Sequence, residues 1–195
     1  MPQKRPPYLA GKYYHFYNRG RSRLSIFHGD SDYLQVLYKI KEYLQKFELT
    51  MIAYCLMPNH YHFLVRQDGE LRAGLLPQSI FNSYAKSYNH RYKHSGTIFE
   101  GNYRVKLVDR IDYLLHLCRY IHANPVKDGI AANLTLWPYS NYLEWIEARD
   151  GTIVDRAFVH TYFQNPVEYT AFVQNYIRSR ELPRDVQQYL AQLEL

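Results

Sequence analysis

The sequence predicts an α+β fold in which an antiparallel sheet carries helices on one face and is followed by a C-terminal helical extension. Three observations predict it. Two long segments repeat apolar residues at helical spacing, and shorter apolar segments typical of strands alternate with them. Pro58 and Asn59 form a turn signal between two of these strands. The resulting order, β-α-β-β-α-β and then a helix, is the split βαβ arrangement of ferredoxin-like folds.

The first half of the chain is predicted to form a strand, a helix and a pair of strands. Residues 13–20 are aromatic and strand-like, and residues 30–47 form an amphipathic helix. Residues 49–57 have the apolar run of a buried strand, and the next strand begins at His60. We expect this pair of strands at the centre of the sheet.

The second half adds two helices and a strand. Residues 76–93 have the pattern of a helix, and residues 97–108 that of a strand. Residues 110–124 predict a third helix, which we expect to stop before Pro125 because proline lacks the N–H that continues a helix. Two further helices are expected after about Arg149.

These elements divide the chain into three parts. Residues 1–12 form a basic, proline-rich arm, residues 13–130 hold the sheet and its helices, and residues 131–195 form the helical extension. We expect the extension after Arg149 to be dispensable for chemistry.

The positive charge of the chain is unevenly distributed. The formal net charge is +6, yet the chain through Tyr139 carries 19 Lys and Arg against 10 Asp and Glu, and the remainder carries 5 against 8. A basic body of this kind suggests a polyanionic partner, although charge alone fits a merely soluble basic protein equally well.

The cysteines and the apolar segments bear on location. Cys55 and Cys118 lack the spacing of a metal knuckle and are expected to be reduced thiols, as in a cytoplasmic protein. The N-terminus has no apolar signal core and no apolar run approaches 18 residues, so we expect neither secretion nor a membrane span.

The segment MPNHYHFLV places His60 and His62 two residues apart on a predicted strand. Side chains at this spacing point to one face of a sheet, so the two imidazoles can converge on one metal ion. Two histidines leave an open coordination sphere, which suits catalysis on a phosphate. A pair at this spacing alone more often only decorates a sheet, and the weight of the metal interpretation depends on the segment that faces it.

That segment is YIHANPVKDG, in the third predicted helix. Tyr120 and Asn124 are four residues apart and share one face of the helix. Asn124 can supply a carbonyl oxygen to the ion, and Tyr120 can attack a phosphate held there and form a covalent phosphotyrosine. The alternative is that Tyr120 only packs the helix, as most of the 21 tyrosines must.

In this order and spacing, MPNHYHFLV, GTIFEGNYRVKLV and YIHANPVKDG resemble the HUH single-tyrosine transposases, most closely the branch of REP-associated tyrosine transposases. The resemblance covers residues 13–142. It implies a ferredoxin-like fold, a Mg²⁺ or Mn²⁺ ion, and cleavage of single-stranded DNA beside a hairpin through a 5′-phosphotyrosine intermediate. His60 and His62 match the metal ligands, Tyr120 matches the nucleophile, and Asn124 stands where other branches carry a glutamine ligand.

DNA binding is expected from clusters of basic residues interleaved with tyrosines. The candidates for contact with the DNA backbone are Arg19, Arg21, Arg23, Lys86, Arg91, Lys93, Arg104 and Lys106. The partner implied by the resemblance is single-stranded DNA with a hairpin, and a monomer with its tyrosine acting in cis is preferred to a homodimer.

Two other functions are open at this point. One is a domesticated hairpin-binding or single-strand-binding module without turnover. The other is a metal-dependent nuclease that uses water, for which Tyr120 would be dispensable.

Overall fold

A four-stranded antiparallel sheet organises the chain. The structure, a computed structural model, describes residues 5–179 and 184–191. The strands lie in the order β2-β3-β1-β4, with every neighbouring pair antiparallel. Their bounds are β1 (Tyr13–Arg19), β2 (Leu49–Met57), β3 (His60–Gln67) and β4 (Arg104–Val108). The predicted α+β class is confirmed, but β2 is an edge strand, so the central pair is β3 with β1 and not the pair around the turn.

Helices cover both faces of this sheet. In chain order they are α1 (Asp30–Lys46), α2 (Leu75–Arg91), α3 (Ile111–Lys127), α4 (Tyr142–Trp145), α5 (Arg156–Tyr162), α6 (Pro166–Ser179) and α7 (Arg184–Ala191). None of these helices within the described residues has the length and apolar character needed to cross a bilayer.

Alternation of side chains along the strands separates the two faces. Tyr14 and Phe16 of β1 belong to a buried cluster that includes residues of α1 and α2. Tyr17 of β1 belongs to a second cluster, formed with α3 and the C-terminal helices. The expected placement of helices on one face therefore holds for α1 and α2 only. The other face is covered because α3 follows β4 and crosses to the opposite side.

The third helix continues through Pro125, so the predicted stop at Asn124 is wrong. Pro125 lacks the N–H that would bond to the Ile121 carbonyl. The side-chain Nδ2 of Asn124 lies 3.4 Å from that oxygen and donates to the Tyr120 carbonyl at 2.8 Å. This local substitute for the missing hydrogen bond lets the helix pass the proline.

A glycine ends the helix one turn later. Gly129 has φ +70°, a left-handed conformation that a residue with a side chain adopts at a cost. Its N–H bonds to the Val126 carbonyl at 3.1 Å, and the Ile130 N–H bonds to the Pro125 carbonyl at 2.9 Å. This pair of bonds is a Schellman motif, which accounts for the glycine at this helix end.

The last strand is shorter than the prediction of 97–108. Only Arg104–Val108 pairs as β4, and residues 97–103 form a loop. Phe99 makes a single bridge to Gly20 just beyond β1. The loop thus stays against the end of β1 and reaches the same face as the predicted histidines.

The C-terminal extension packs into the core. Beyond Arg149 the described residues contain three helices, α5 to α7, where two were expected. Its buried hydrophobic residues in the cluster beside α3 are Phe158, Val159, Phe163, Tyr169, Val173, Tyr176 and Val186. This packing argues against the expectation that the extension is dispensable.

Candidate active site

The register of the strands builds a row of side chains across one face of the sheet. His62 on β3 is paired with Tyr17 on β1 and with Cys55 on β2. Tyr17 is paired in turn with Arg104 on β4. Directly opposed residues share a face, so His62, Tyr17 and Arg104 all point toward α3. His60 lies in the next row and is paired with Arg19.

The two histidines lie together on this face, as the sequence predicts. Their ring centroids are 5.2 Å apart. The Nδ1 of His60 lies 2.7 Å from Oδ1 of Asn59, and the Nδ1 of His62 lies 3.0 Å from Nε2 of His15. Each imidazole therefore has one nitrogen committed to a neighbour, which orients the ring.

Burial keeps both imidazoles neutral. It lowers the pKa of His60, against the opposing effects of the Asp128 charge and a hydrogen bond with the Asn124 side chain. It lowers the pKa of His62 well below the usual value, and the nearby His15, His60 and Lys127 lower it further. A neutral imidazole keeps the lone pair that a metal ion needs.

The third helix brings Tyr120 and Asn124 to the histidines. The Tyr120 ring centroid lies 5.5 Å from that of His62 in an edge-on contact. Asn124 directs its Nδ2 to the helix backbone, so its Oδ1 faces the His60 ring. The four residues singled out from the sequence thus meet in space.

These side chains line a cavity of about 560 Å³. Its walls come from the end of β1, the turn after β2, the loop before β4 and the last turns of α3. The charged residues on it are Arg19, Arg23, Arg104, Lys127, Glu100 and Asp128. Four cations against two carboxylates give the cavity a positive balance, which suits a phosphodiester.

Two cavity residues at the C-terminal end of α3, Lys127 and the following Asp128, are absent from the sequence-based candidates. Lys127 Nζ lies 5.0 Å from the Tyr120 ring centroid, and it donates to the Tyr176 hydroxyl of α6 at 2.9 Å. Lys127 lies seven residues after Tyr120, and Asp128 lies eight residues after it. Helical spacing alone could therefore have added both to the face shared with Asn124.

Tyr17 and His15 were also missed. Tyr17 lines the cavity beside Tyr120, and its ring centroid lies 6.1 Å from that of His62. Burial raises the pKa of the Tyr17 phenol, and a hydrogen bond with Arg104 opposes the shift. His15 is fully buried under His62. Their place depends on the pairing of β1 with β3, which no local pattern reveals.

The predicted DNA contacts separate into two groups. Arg19, Arg23 and Arg104 line the cavity, with Arg19 Nε 2.7 Å from Glu100 Oε2. The exposed Arg21 lies in the same short turn as Arg23, and Lys106 lies two residues after Arg104 on β4.

The other group lies away from the cavity, at the end of α2. Lys86 and Arg91 lie on α2, and the exposed Lys93 follows it. Arg91 forms an ion pair with the buried Asp32 of α1, so this cation braces the two helices.

The histidine inside the YIHANP segment faces away from the cavity. The fully enclosed His122 contacts the Tyr169 hydroxyl through Nδ1 at 2.5 Å and Asn141 Oδ1 through Nε2 at 2.9 Å. Asn141 in turn donates to the Ile52 carbonyl of β2. His122 therefore joins α3, β2 and α6 and plays a structural part.

The donor set fits a divalent ion. Within residues 5–179 and 184–191, no three His, Cys, Asp or Glu side chains cluster as a metal site. Two neutral imidazoles and one amide oxygen nevertheless converge, and each is oriented by a neighbouring hydrogen bond. Imidazole nitrogen and amide oxygen are ligands that divalent metals accept, and three protein donors leave positions for substrate.

A family comparison decides the class of protein. Residues 9–124, more than half of the chain, match the family model described as "Transposase IS200 like". The chain belongs to the IS200-like transposase family. The resemblance inferred from the sequence motifs is confirmed at this level. All four predicted site residues lie within the matched range. A comparison with curated proteins finds no match.

Solved structures give a consistent fold. A structure described as a REP-associated tyrosine transposase bound to a REP hairpin superposes with a TM-score of 0.61 at 20% identity, over 80% of this chain and 94% of that chain. It confirms the fold class. A putative transposase from Deinococcus radiodurans R1 reaches a TM-score of 0.42 at 14% identity, over 61% and 95% of the two chains, too low to support an argument.

Proposed function

We propose that this IS200-like transposase is a single-strand DNA endonuclease and strand transferase of the REP-associated branch. It cleaves beside a hairpin through a 5′-phosphotyrosine intermediate and uses a divalent metal ion. One observation carries the proposal: Tyr120 contacts His62 edge-on in the wall of a positively charged cavity, at 5.5 Å between ring centroids, within a single chain.

His60, His62 and Asn124 would hold the ion, Mg²⁺ or Mn²⁺. Held there, such an ion would polarise the scissile phosphate and offset the charge that develops on it. The residues of the chain supply the rest. Burial keeps the imidazoles unprotonated, and Asn124 presents its oxygen because its amide nitrogen is held by the helix backbone.

Tyr120 is the proposed nucleophile. Its Oη forms a bond to phosphorus, the bond from phosphorus to the 3′ oxygen breaks, and the released 3′-hydroxyl takes up a proton in place of the one lost by the phenol. The phosphotyrosine keeps the energy of the broken ester for rejoining. Lys127, whose ammonium lies over the Tyr120 ring, is placed to hold the phosphate and stabilise the developing charge.

The proposed substrate is single-stranded DNA that carries a hairpin. The solved structure with the same fold holds a REP hairpin, according to its description. In this chain Arg19, Arg23 and Arg104 line the cavity where a cleaved strand must pass. The proposed compartment is the bacterial cytoplasm, where the buried free thiols of Cys55 and Cys118 stay reduced.

The proposed active unit is a monomer with the tyrosine acting in cis. The nucleophile and both imidazoles come from one chain, so the chemistry needs no second copy. The three-part division also remains a proposal: an arm at 1–12, a catalytic domain at 13–130, and an extension at 131–195 that supports the back of α3.

The deciding experiment compares two tyrosines of the same cavity. Tyr120→Phe removes the proposed nucleophilic oxygen and keeps the ring, so hairpin binding should persist while the covalent protein–DNA adduct disappears. Tyr17→Phe is the matched control, because it removes a phenol beside the same histidine and should keep the adduct. The readout is a denaturing gel of protein mixed with labelled hairpin DNA and Mn²⁺ or Mg²⁺.

Each alternative function has its own result. A binding module gives no adduct in any form. A nuclease that uses water cleaves without an adduct, and Tyr120→Phe leaves its cleavage rate nearly unchanged. An adduct that persists in Tyr120→Phe and disappears in Tyr17→Phe would reassign the nucleophile. Tyr103→Phe and Tyr113→Phe, which lie outside this cavity, should keep the adduct.

A further inference from the structure

A third histidine lies beneath the candidate metal ligands. His15 on β1 is fully buried, and its Nε2 lies 3.0 Å from Nδ1 of His62. The two rings are stacked, with centroids 5.2 Å apart and planes 16° apart. The other nitrogen of His15, Nδ1, is buried without a hydrogen-bond partner in the described structure.

The short contact restricts the tautomers of both rings. One of the two facing nitrogens must carry the proton. If His15 donates, His62 carries its own proton on Nε2 and has no lone pair left for an ion. If His62 donates from Nδ1, its Nε2 lone pair is free, and the proton of His15 lies on the partnerless Nδ1. Only in the second arrangement can His62 bind a metal ion through Nε2.

We propose that His15 is a positioning residue that accepts a hydrogen bond from Nδ1 of His62 and thereby fixes His62 as a metal ligand through Nε2. The inference rests on the metal site of the proposed function. It extends that site to a residue on another strand, two rows away from His60. Metal-binding histidines commonly donate their second nitrogen to such an acceptor, which orients the ring.

A purely structural role explains this arrangement less well. A buried polar atom without a partner destabilises a protein, and an apolar side chain in the same space would avoid that cost. Tyr17 stacks on the His15 ring at 5.1 Å, so an apolar residue could also keep the packing. The imidazole at this position is accounted for by the acceptor that it offers to His62.

The test separates metal affinity from folding. Mn²⁺ binding is measured by isothermal titration calorimetry on the full chain, together with thermal unfolding without metal. His15→Leu keeps bulk and removes the acceptor, and we expect it to weaken Mn²⁺ binding about 10- to 100-fold, the range typical for such outer partners. Unfolding without metal should occur at the same temperature or higher. His15→Gln restores an acceptor at the position of Nε2 and should recover most of the affinity.

The outcomes distinguish this inference from the proposed function. If the wild-type chain binds no Mn²⁺, the proposed metal site itself fails. If it binds Mn²⁺ and His15→Leu binds equally well, the positioning role is wrong. Equal losses of affinity in His15→Leu and His15→Gln, with lower unfolding temperatures for both, would mark His15 as structural only.

A measurement on the unmodified chain covers the case in which the variants do not fold. Long-range ¹H–¹⁵N spectra of the histidine side chains report the tautomer directly. With Mg²⁺ as a diamagnetic probe, we expect the proton on Nδ1 in both His62 and His15. A proton on Nε2 of His15 that is shared with an unprotonated His62 Nδ1 would overturn the proposal.

Discussion

Asn124 uses the two ends of its amide for different purposes. Its Nδ2 bonds to the Tyr120 carbonyl and approaches the Ile121 carbonyl that Pro125 leaves without a partner. Its Oδ1 then faces His60. The proline that follows therefore helps to determine which end of the amide faces the cavity, because it creates the acceptor that attracts the nitrogen.

Removal of the Asn124 amide should mainly lower the affinity for the metal ion. We expect Asn124→Ala to weaken Mn²⁺ binding at least about 10-fold and to reduce adduct formation, while hairpin binding changes little because the basic surface is intact. The measurements are calorimetric titration with Mn²⁺ and a gel-shift assay with hairpin DNA. Asn102→Ala is the matched control, since Asn102 lies on the same cavity but on the loop before β4. Equal Mn²⁺ affinities for Asn124→Ala and wild type would remove Asn124 from the ligand set.

At the scale of elements, the sequence predicts correctly the helices and strands whose bounds depend on residues close together in the chain. The helix expected from Asp30 does begin at Asp30, and the strand expected at 49–57 is β2 as observed. The third helix was predicted too short, because the rule that proline ends a helix ignores a side chain that replaces the lost bond. The strand at 97–108 was predicted too long. Residues 97–103 form a loop that packs against the end of β1, and they do not pair with it as a regular strand.

The candidate site shows the same division. His60 with His62, and Tyr120 with Asn124, were identified because each pair lies within one element at the spacing of that element. Tyr17 and His15 come from β1, and their contacts with His62 follow from the register between β1 and β3. Such a register depends on pairing across more than 40 residues, for which a single sequence holds no local signal.

The extension matters at the element scale because it supports the helix that carries Tyr120. His122 of α3 contacts Tyr169 of α6, and Arg119 of α3 lies 4.4 Å from the Phe172 ring of α6. The same helix contributes Tyr176, which binds Lys127 in the cavity. The back of α3 is thus covered by residues that lie beyond Arg149.

A chain cut after Arg149 should therefore fail to fold. It loses seven buried hydrophobic side chains from the core beside α3. At about 1.5–3 kcal/mol each, the loss is on the order of 10 kcal/mol, comparable with the whole stability of a domain. Circular dichroism and thermal unfolding provide the measurement. Of the residues that the structure describes, a cut after Ser179 removes α7 alone, which contributes Val186 to that core, and it should leave a folded chain. Cooperative unfolding of the chain cut after Arg149 would show that residues 1–149 fold without the rest of the extension.

At the scale of the whole molecule, acid should destabilise the fold through its buried histidines. Burial lowers the pKa of His122 to about 4, although the hydrogen bond with Asn141 opposes the shift. The unfolded chain takes up this proton near pH 6.5, the usual pKa of a histidine side chain. The stabilisation is therefore complete above about pH 6.5 and is lost as the pH falls toward about 4.

His122→Gln tests this contribution without metal. Between pH 6.5 and pH 4, the free energy of unfolding should fall more steeply for the wild type than for His122→Gln. The variant should have a slope shallower by up to about 1.4 kcal/mol per pH unit, since it lacks one group that titrates only when unfolded. Denaturant unfolding at several pH values gives the slope, and the comparison of slopes is independent of any general loss of stability. Equal slopes would mean that His122 takes up its proton over the same pH range in the folded and unfolded chains.

Charge is distributed so that the body of the molecule carries the positive excess and the extension does not. The chain through Tyr139 holds 19 of the 24 basic residues, and Arg23 and Arg104 among them line the cavity of the candidate active site. Cations that contact DNA phosphates release condensed counterions, so hairpin affinity should fall steeply as salt rises.

Single substitutions should show which side of the molecule makes the salt-dependent contacts with DNA. Each phosphate contact adds roughly 0.7–0.9 to the slope of log affinity against log salt concentration. We expect Arg23→Ala to lower the slope by about that amount, because Arg23 is exposed at the mouth of the cavity.

Arg156→Ala is the control, since Arg156 lies on α5 of the acidic extension and forms an ion pair with Asp150. Its slope should equal that of the wild type. Fluorescence anisotropy of a labelled hairpin over a range of NaCl concentrations measures both slopes. A smaller slope for Arg156→Ala than for Arg23→Ala would place the DNA on the extension and away from the cavity.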